Sequence, residues 1–106
     1  DIDTAVPLGL IINELLTNAY KYAIPENKPG VLTLELKIIS EGQYELVCKD
    51  NGPGIKGTIN FEDATTLGLR LIKGLIGQLA GSVSYHYEGG AVFTFNFKDA
   101  EARRKE

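Results

Sequence analysis

The chain has 106 residues, of which 43% are hydrophobic and 24% are charged, a composition typical of one soluble globular domain. Its 11 lysines and arginines are scattered and outnumbered by 14 acidic residues, which argues against a nucleic-acid surface. The single cysteine excludes an internal disulfide and fits a reducing compartment. The sequence shows no membrane-spanning apolar run and no signal peptide, and its abrupt start is typical of an excised domain.

The spacing of apolar residues predicts two helices and four strands. A first helix is expected over residues 8–23, with Thr4 as its cap and Pro7 in its first turn. Alternating strands are expected over 31–39, 44–50, 82–87 and 91–98. A second helix is expected over 67–80, with Gly81 as its stop. Because one face of the predicted sheet is apolar, we expect helices to cover it in a two-layer α/β sandwich.

Asp50 closes a strand in which Tyr44, Leu46 and Cys48 share its parity, so it is predicted to point with the core residues. A carboxylate on an apolar face is costly unless a donor satisfies it, and no neighbour in the sequence obviously does so. A bound ligand with an N–H group is one candidate donor. The alternative is an ordinary turn over residues 50–54, in which Asp50 caps its own backbone.

The first helix carries a polar stripe of Glu14, Thr17, Asn18 and Lys21 at helical spacing. Asn is a poor helix former, and Asn18 is not placed to cap an end. A carboxylate and an amide oxygen one turn apart suit Mg²⁺ or its bound waters, and Lys21 suits phosphate. The alternative is a solvated helix face.

The second helix begins near Thr66 and Gly68, where free N–H groups and the helix dipole favour an anion. A glycine there allows phosphate to approach the backbone, although every helix has such an end. The polar stretch over residues 56–64 is either a lid over a ligand or a plain surface loop.

Three segments, residues 13–22, 50–55 and 66–72, resemble in order and separation the N, G1 and G2 boxes of the GHKL ATPases. The closest resemblance is to the catalytic ATP-binding domain of bacterial sensor histidine kinases, in the subgroup with a short lid and a Glu opening the N box. It covers residues 5–97. It implies the Bergerat fold, an α+β sandwich whose mixed, mostly antiparallel sheet is covered on one face by helices.

The resemblance also assigns residues to the adenine end of the nucleotide. Asp50 would accept a hydrogen bond from the adenine amino group. Gly52 and Gly54 would shape the loop beside the base, with Ile55 closing the same segment. Tyr22 would flank the adenine, although a tyrosine in this position is also typical of a core.

At the phosphate end, the resemblance implies that Asn18 binds Mg²⁺ and that Glu14 holds a metal-bound or attacking water. Lys21 would contact phosphate. The residues implied to cradle the phosphates from the second helix are Thr66, Gly68, Leu69 and Arg70.

Three positions depart from the pattern. Many relatives carry a Thr after the last glycine pair, where this chain has Ala91, so water or another group would replace the missing hydroxyl. The lid lacks the phenylalanine-containing box of longer kinases, and Phe61 is only a distant counterpart. The sole histidine, His86, has outward strand parity and is interpreted as a surface residue, so no phosphoacceptor is visible.

The expected function is the ATP-binding catalytic domain of a two-component sensor histidine kinase, over residues 1–98, followed by a charged tail over 99–106. It would bind Mg-ATP and transfer the γ-phosphate to a histidine on a separate dimerisation domain of the same protein, upstream of a response regulator. The expected location is cytoplasmic, without nucleic acid or direct membrane contact. The alternatives are a serine kinase that sequesters a sigma factor, an ATP-hydrolysing clamp, and a non-catalytic interaction module.

Overall fold

A computed structural model describes residues 2–22, 30–52 and 67–105, except for the side chains of 18–22 and 67–69. Three helices and four strands lie in these ranges. They are α1 (Ile2–Tyr22), β1 (Leu32–Ser40), β2 (Gln43–Asp50), α2 (Leu67–Gln78), β3 (Ser82–Tyr87), β4 (Ala91–Lys98) and α3 (Ala100–Arg104).

The sheet has the strand order β1-β2-β4-β3, and its three strand pairings are all antiparallel. The expected two-layer α+β architecture is confirmed. Within the described strands every pairing is antiparallel, because both short connections form hairpins and β2 also pairs with β4 in the antiparallel sense.

The core lies between the sheet and the helices α1 and α2. Helical spacing brings Ile11 and Leu15 of α1 onto α2, while alternation along β4 turns its phenylalanines towards both helices. Cys48 of β2 is buried among them, as the sequence predicted. The buried cluster consists of Ile11, Leu15, Leu46, Cys48, Ile72, Leu75, Ile76, Leu79, Ala91, Phe93, Phe95 and Phe97.

Helix α1 begins six residues earlier than the sequence predicted, at Ile2 instead of residue 8, so Thr4 and Pro7 lie inside it and not at its start. A proline within a helix has no N–H for the carbonyl four residues earlier, here that of Asp3. The guanidinium of Arg103 replaces the missing donor, because its Nη2 donates to the Asp3 carbonyl at 3.0 Å and its Nη1 to Thr4 Oγ1 at 3.3 Å. A contact with the C-terminal helix thus lets α1 extend past a proline.

Helix α3 is fixed to the end of β4 by Asp99. The Oδ1 atom of Asp99 accepts a hydrogen bond from the Ala102 N–H at 2.9 Å and so caps the helix. The backbone N–H of Asp99 donates to the Gly42 carbonyl. Arg103 also donates to the Lys98 carbonyl. Residues 99–105 therefore pack against the β1–β2 turn and the start of α1.

Helix α2 ends at Gln78 in a Schellman motif, two residues before the predicted end. The N–H of Gly81 donates to the Ile76 carbonyl at 3.0 Å, and the N–H of Ala80 donates to the Gly77 carbonyl at 3.0 Å. The left-handed residue is Ala80, with φ of 52°, and not the glycine after it. Gly81 is required for a different reason, since a Cβ there would lie 2.1 Å from the Asn96 carbonyl oxygen.

Within the described ranges, the helices leave part of strand β1 uncovered. Leu34, Leu36 and Ile38 of β1 face the same side as the buried residues of β2, as predicted, but all three are exposed. Among the described elements, β1 packs extensively only against β2, whereas α1 and α2 pack against one another. The helices α1 and α2 cover the apolar face as expected at β2 and β4, and among the described elements neither of them covers it at Leu34, Leu36 and Ile38.

Candidate functional site

Asp50 is the last residue of β2 and is half-buried. Cys48, two residues earlier on the same face, belongs to the core cluster. The pKa of the Cys48 thiol is raised to about 11 by burial, and secondarily by the negative charge of Asp50. The carboxylate therefore lies on the core side of the strand, close enough for its charge to act on the thiol.

The two oxygens of the Asp50 carboxylate have different surroundings. Oδ1 accepts the backbone N–H of Gly52 at 3.0 Å and that of Ala91 at 3.0 Å. The expectation that no neighbour in the sequence donates to Asp50 is therefore wrong, because Gly52 closes an Asx turn on it. Ala91 has no side-chain hydroxyl to offer at this position, and it contributes through its backbone N–H.

The second oxygen, Oδ2, accepts no hydrogen bond from the residues that the structure describes. No side-chain nitrogen or oxygen in the described ranges is both buried and without a partner, so Oδ2 reaches the accessible surface. The arrangement combines a fixed carboxylate with one acceptor directed away from its supports. Such an acceptor suits a ligand that presents an N–H group.

The hairpin between β3 and β4 supports Asp50 from behind. A Cβ at Gly90 would lie 1.8 Å from the Asp50 carbonyl oxygen and 3.0 Å from Asn51 Cα, so only glycine allows this approach. On the other side, the Asn51 side-chain oxygen accepts the Val31 N–H at 2.8 Å. The contact of Gly90 with a residue 40 positions earlier follows from the β2–β4 register.

The polar stripe of α1 is described in part. Glu14 is half-buried beside the buried Leu15, whereas Thr17 is exposed and donates its hydroxyl to the Asn13 carbonyl at 2.9 Å. Thr17 thereby makes a local bond of the kind common for hydroxyl residues in helices. The side chains of Asn18, Lys21 and Tyr22 lie outside the described set.

On the phosphate side, Arg70 lies in the first turns of α2 and is exposed. Gly52 is buried directly after the Asx turn. The remaining predicted residues fall outside the described backbone or side chains, and they are Gly54, Ile55, Thr66, Gly68 and Leu69, together with the loop over 56–64 and Phe61.

The structure does bring the three sequence segments to one place. Leu15, Cys48 and Ile72 come from the first, second and third segments or their immediate flanks, and all three belong to the same buried cluster. Glu14, Asp50 and Arg70 each lie one or two residues from these core positions. These three predicted residues therefore lie next to one core.

His86 is exposed on β3, as predicted, and its Nε2 lies 3.2 Å from the Glu88 carboxylate. In the described ranges, His, Cys, Asp and Glu side chains form no group of three or more that could hold a metal ion. None of the helices in the described residues is both long and apolar enough to cross a bilayer.

Comparison with known families gives a match over residues 3–101 to the model described as histidine kinase-, DNA gyrase B- and HSP90-like ATPase. Blue-light-activated histidine kinase 2 of Erythrobacter litoralis (strain HTCC2594) is 29% identical over 83 residues. That match covers 78% of this chain and 24% of the kinase, so the chain spans about a quarter of that protein's length.

Solved structures of histidine kinases share the fold. The histidine kinase domain of the E. litoralis blue-light activated histidine kinase superposes with a TM-score of 0.84 at 25% identity, covering 98% of this chain and 48% of that one. Histidine kinase AdeS of Acinetobacter baumannii superposes with a TM-score of 0.69 at 26% identity, over 87% of this chain and 45% of that one. From the family match and these likenesses, we conclude that the chain belongs to the family of histidine kinase-, DNA gyrase B- and HSP90-like ATPases, as an ATP-binding domain with the fold of histidine kinase domains.

Proposed function

We propose that this domain binds ATP with Mg²⁺ and donates the γ-phosphate to a histidine on a separate domain of the same protein. The observation that carries the proposal is the Asp50 carboxylate. One of its oxygens is held by two backbone N–H groups, and the other accepts no hydrogen bond from the described residues. An adenine amino group is a donor of the size and polarity that this second oxygen can accept.

The likeness to histidine kinases of two organisms supports phosphoryl transfer to histidine over the other activities of the family. In this proposal, Gly52, Gly54 and Ile55 shape the loop beside the base, and Tyr22 flanks it. Because Gly90 and Ala91 hold the Asp50 segment in place, the carboxylate that would receive the base is positioned before the nucleotide arrives.

Glu14 and Asn18 are proposed to meet Mg²⁺ or its waters from α1. A half-buried carboxylate one helical turn from an amide fits this ion, which takes few protein ligands and completes its shell with water and phosphate oxygens. Bound there, Mg²⁺ would neutralise charge on the phosphates. Lys21 would contact phosphate.

At the start of α2, backbone N–H groups would receive the phosphates. The residues proposed to line this end are Thr66, Gly68, Leu69 and Arg70. Catalysis would then consist mainly of positioning the nucleotide and neutralising its charge for an incoming imidazole nitrogen.

The proposed partners are the phosphoacceptor domain of the same protein and a downstream response regulator, in the cytoplasm. The test uses this chain, Mg²⁺, ATP labelled on its γ-phosphate and a helical domain carrying the acceptor histidine. Acid-labile, base-stable label on the acceptor is expected, together with its loss in Asp50→Asn. Acid-stable label would instead indicate a serine kinase, and binding of ATP without any transfer would refute the kinase assignment.

A further inference from the structure

Residues 51 and 52 form an Asn-Gly pair, and Asn51 is the only asparagine of the chain that a glycine follows. Asparagine is chemically labile in this context, because glycine has no side chain to hinder attack by its own backbone nitrogen on the preceding amide. Both residues follow β2 directly, where Asn51 is half-buried and Gly52 is buried. A labile pair therefore lies next to the Asp50 carboxylate.

The reaction open to this pair is loss of the side-chain amide nitrogen in two steps. The Gly52 nitrogen gives its proton to hydroxide and attacks Asn51 Cγ, so the N–Cγ bond forms, the Cγ–Nδ2 bond breaks, and ammonia leaves with a proton from water. Water then opens the cyclic imide at one of its two carbonyl carbons, where the C–N bond breaks. Opening at Cγ gives aspartate, and opening at the backbone carbon gives isoaspartate, whose main chain runs through the former side chain.

A hydrogen bond directs the Gly52 nitrogen away from this attack. Its N–H points to Asp50 Oδ1 at 3.0 Å, and the electron pair left by loss of that proton would lie along the same direction. The nitrogen therefore presents its electron pair to Asp50 and not to Asn51 Cγ. The negative charge of the carboxylate also disfavours an amide anion beside it.

A second hydrogen bond holds the group that would be attacked. The Asn51 side-chain oxygen accepts the Val31 N–H at 2.8 Å, across 20 residues of sequence. The side chain is thereby fixed in one orientation and loses the free rotation that it has in an open chain. Gly90 confines the same segment, since a Cβ there would lie 3.0 Å from Asn51 Cα.

We propose that Asn51 is a site of spontaneous deamidation that the turn on Asp50 keeps unreactive and that opening of this turn releases. Both reacting groups are held by hydrogen bonds, the nitrogen by Asp50 and the side-chain amide by Val31. The rate of the reaction should therefore follow how often Gly52 leaves Asp50, and a variant that loses the turn should age faster than the native chain.

The product would lack part of the support of Asp50. Isoaspartate adds a carbon to the main chain before Gly52, so the Gly52 N–H would leave its present position on Oδ1. Aspartate and isoaspartate both add a negative charge beside this carboxylate. Since Asp50 is the proposed contact of the base, the modified chain should bind Mg-ATP more weakly, a consequence that rests on the proposed function.

The test is to age the chain at mildly alkaline pH, with measurement of ammonia release and of isoaspartate at residue 51 by peptide mapping. The folded native chain is expected to react at least roughly tenfold more slowly than the same chain in urea, because the turn must open first. Asp50→Ala, shown to be folded by circular dichroism, should react roughly tenfold or more faster than the folded native chain, since a hydrogen bond to a charged group is lost. In urea the two chains should react at similar rates.

Two further variants are controls. Arg103→Met removes a contact at the start of α1, away from the turn, and should keep the native rate, which separates opening of the turn from general destabilisation. Asn51→Gln keeps an amide but lengthens the side chain, so the same ring cannot form. It should give no isoaspartate at residue 51.

Three results would overturn the proposal. They are equal rates for the folded and unfolded native chain, a native rate in folded Asp50→Ala, and isoaspartate that forms mainly at another asparagine. Titration with Mg-ATP tests the consequence separately, since a modified chain that binds as tightly as the unmodified chain would contradict the effect on Asp50. An unmodified chain without affinity for ATP would count against the proposed function alone, and the deamidation rates would still decide the role of the turn.

Discussion

Replacing Asp50 should separate its contribution to folding from its contribution to ligand binding. Oδ1 holds the N–H groups of Gly52 and Ala91, each at 3.0 Å, and Oδ2 is the proposed ligand contact. Asp50→Ala removes all of these interactions. Asp50→Asn keeps an oxygen for the two backbone donors but places an NH₂ group where the ligand's own donor would bind.

The magnitudes follow from the two bonds. A hydrogen bond to a charged group contributes about 1.5–3 kcal/mol, and water can replace part of it at a half-buried site, so Asp50→Ala should lower the free energy of unfolding by about 2–4 kcal/mol. Asp50→Asn retains neutral hydrogen bonds and should lower it by about 1–2 kcal/mol. Both variants should lose about 1.5–3 kcal/mol of ATP binding, a factor of roughly 10 to 150.

Urea unfolding followed by circular dichroism measures the first quantity, and titration calorimetry with Mg-ATP measures the second. Glu45→Gln, on the same strand but on the opposite face of the sheet, is the control and should change neither one. Native affinity for ATP in Asp50→Asn would refute the contact between this carboxylate and the base. Equal stabilities for the two Asp50 variants would refute the role of Oδ1.

Three further predictions concern stability. Ala80→Gly should raise the free energy of unfolding by about 0.5–1 kcal/mol in urea melts, because Ala80 has a left-handed φ of 52°, and a lower value would contradict this account of the helix end. The raised pKa of Cys48, about 11 against 9.0 for an ordinary thiol, stabilises the fold below pH 9.0. The free energy of unfolding should therefore fall by about 1 kcal/mol between pH 8 and pH 10, and Cys48→Ala should not show this fall. Equal pH profiles of the free energy of unfolding for the two proteins would argue against a role of the Cys48 thiol. Arg103→Met should lower the free energy of unfolding by about 1–2 kcal/mol, because it leaves the Asp3 carbonyl without its donor. The control is Arg104→Met, a change at the exposed neighbouring residue, and it should have little effect. Similar unfolding curves for the two variants would show that Arg103 does not stabilise the start of α1.

The sequence predicted most of the fold because local patterns decide most of it. Alternation along β2 and β4 fixed which residues face the helices, and Phe95 and Cys48 are buried accordingly. The start of α1 was missed because it depends on Arg103, which is 96 residues beyond Pro7 and supplies the donor that the proline lacks. No local pattern around Pro7 contains that information.

Strand alternation predicted the orientation of Asp50 in the candidate site, but not the contacts that hold it. Parity placed Asp50 on the core side, but the source of its hydrogen bonds was missed, because Ala91 donates from a strand 41 residues later. The supporting role of Gly90 depends on the same long-range pairing. The exposure of Leu36 could not be predicted either, since apolar alternation shows which face a residue takes and not whether a helix lies over it.

The contact between Arg103 and the Asp3 carbonyl makes two distant segments depend on each other for order. If α3 detaches, the gap that Pro7 leaves in the first turns of α1 is no longer bridged, and fraying there should follow. Amide hydrogen exchange should therefore speed up in both segments together, although they lie at opposite ends of the sequence. The beginning of α1 would act as a reporter of whether α3 is docked.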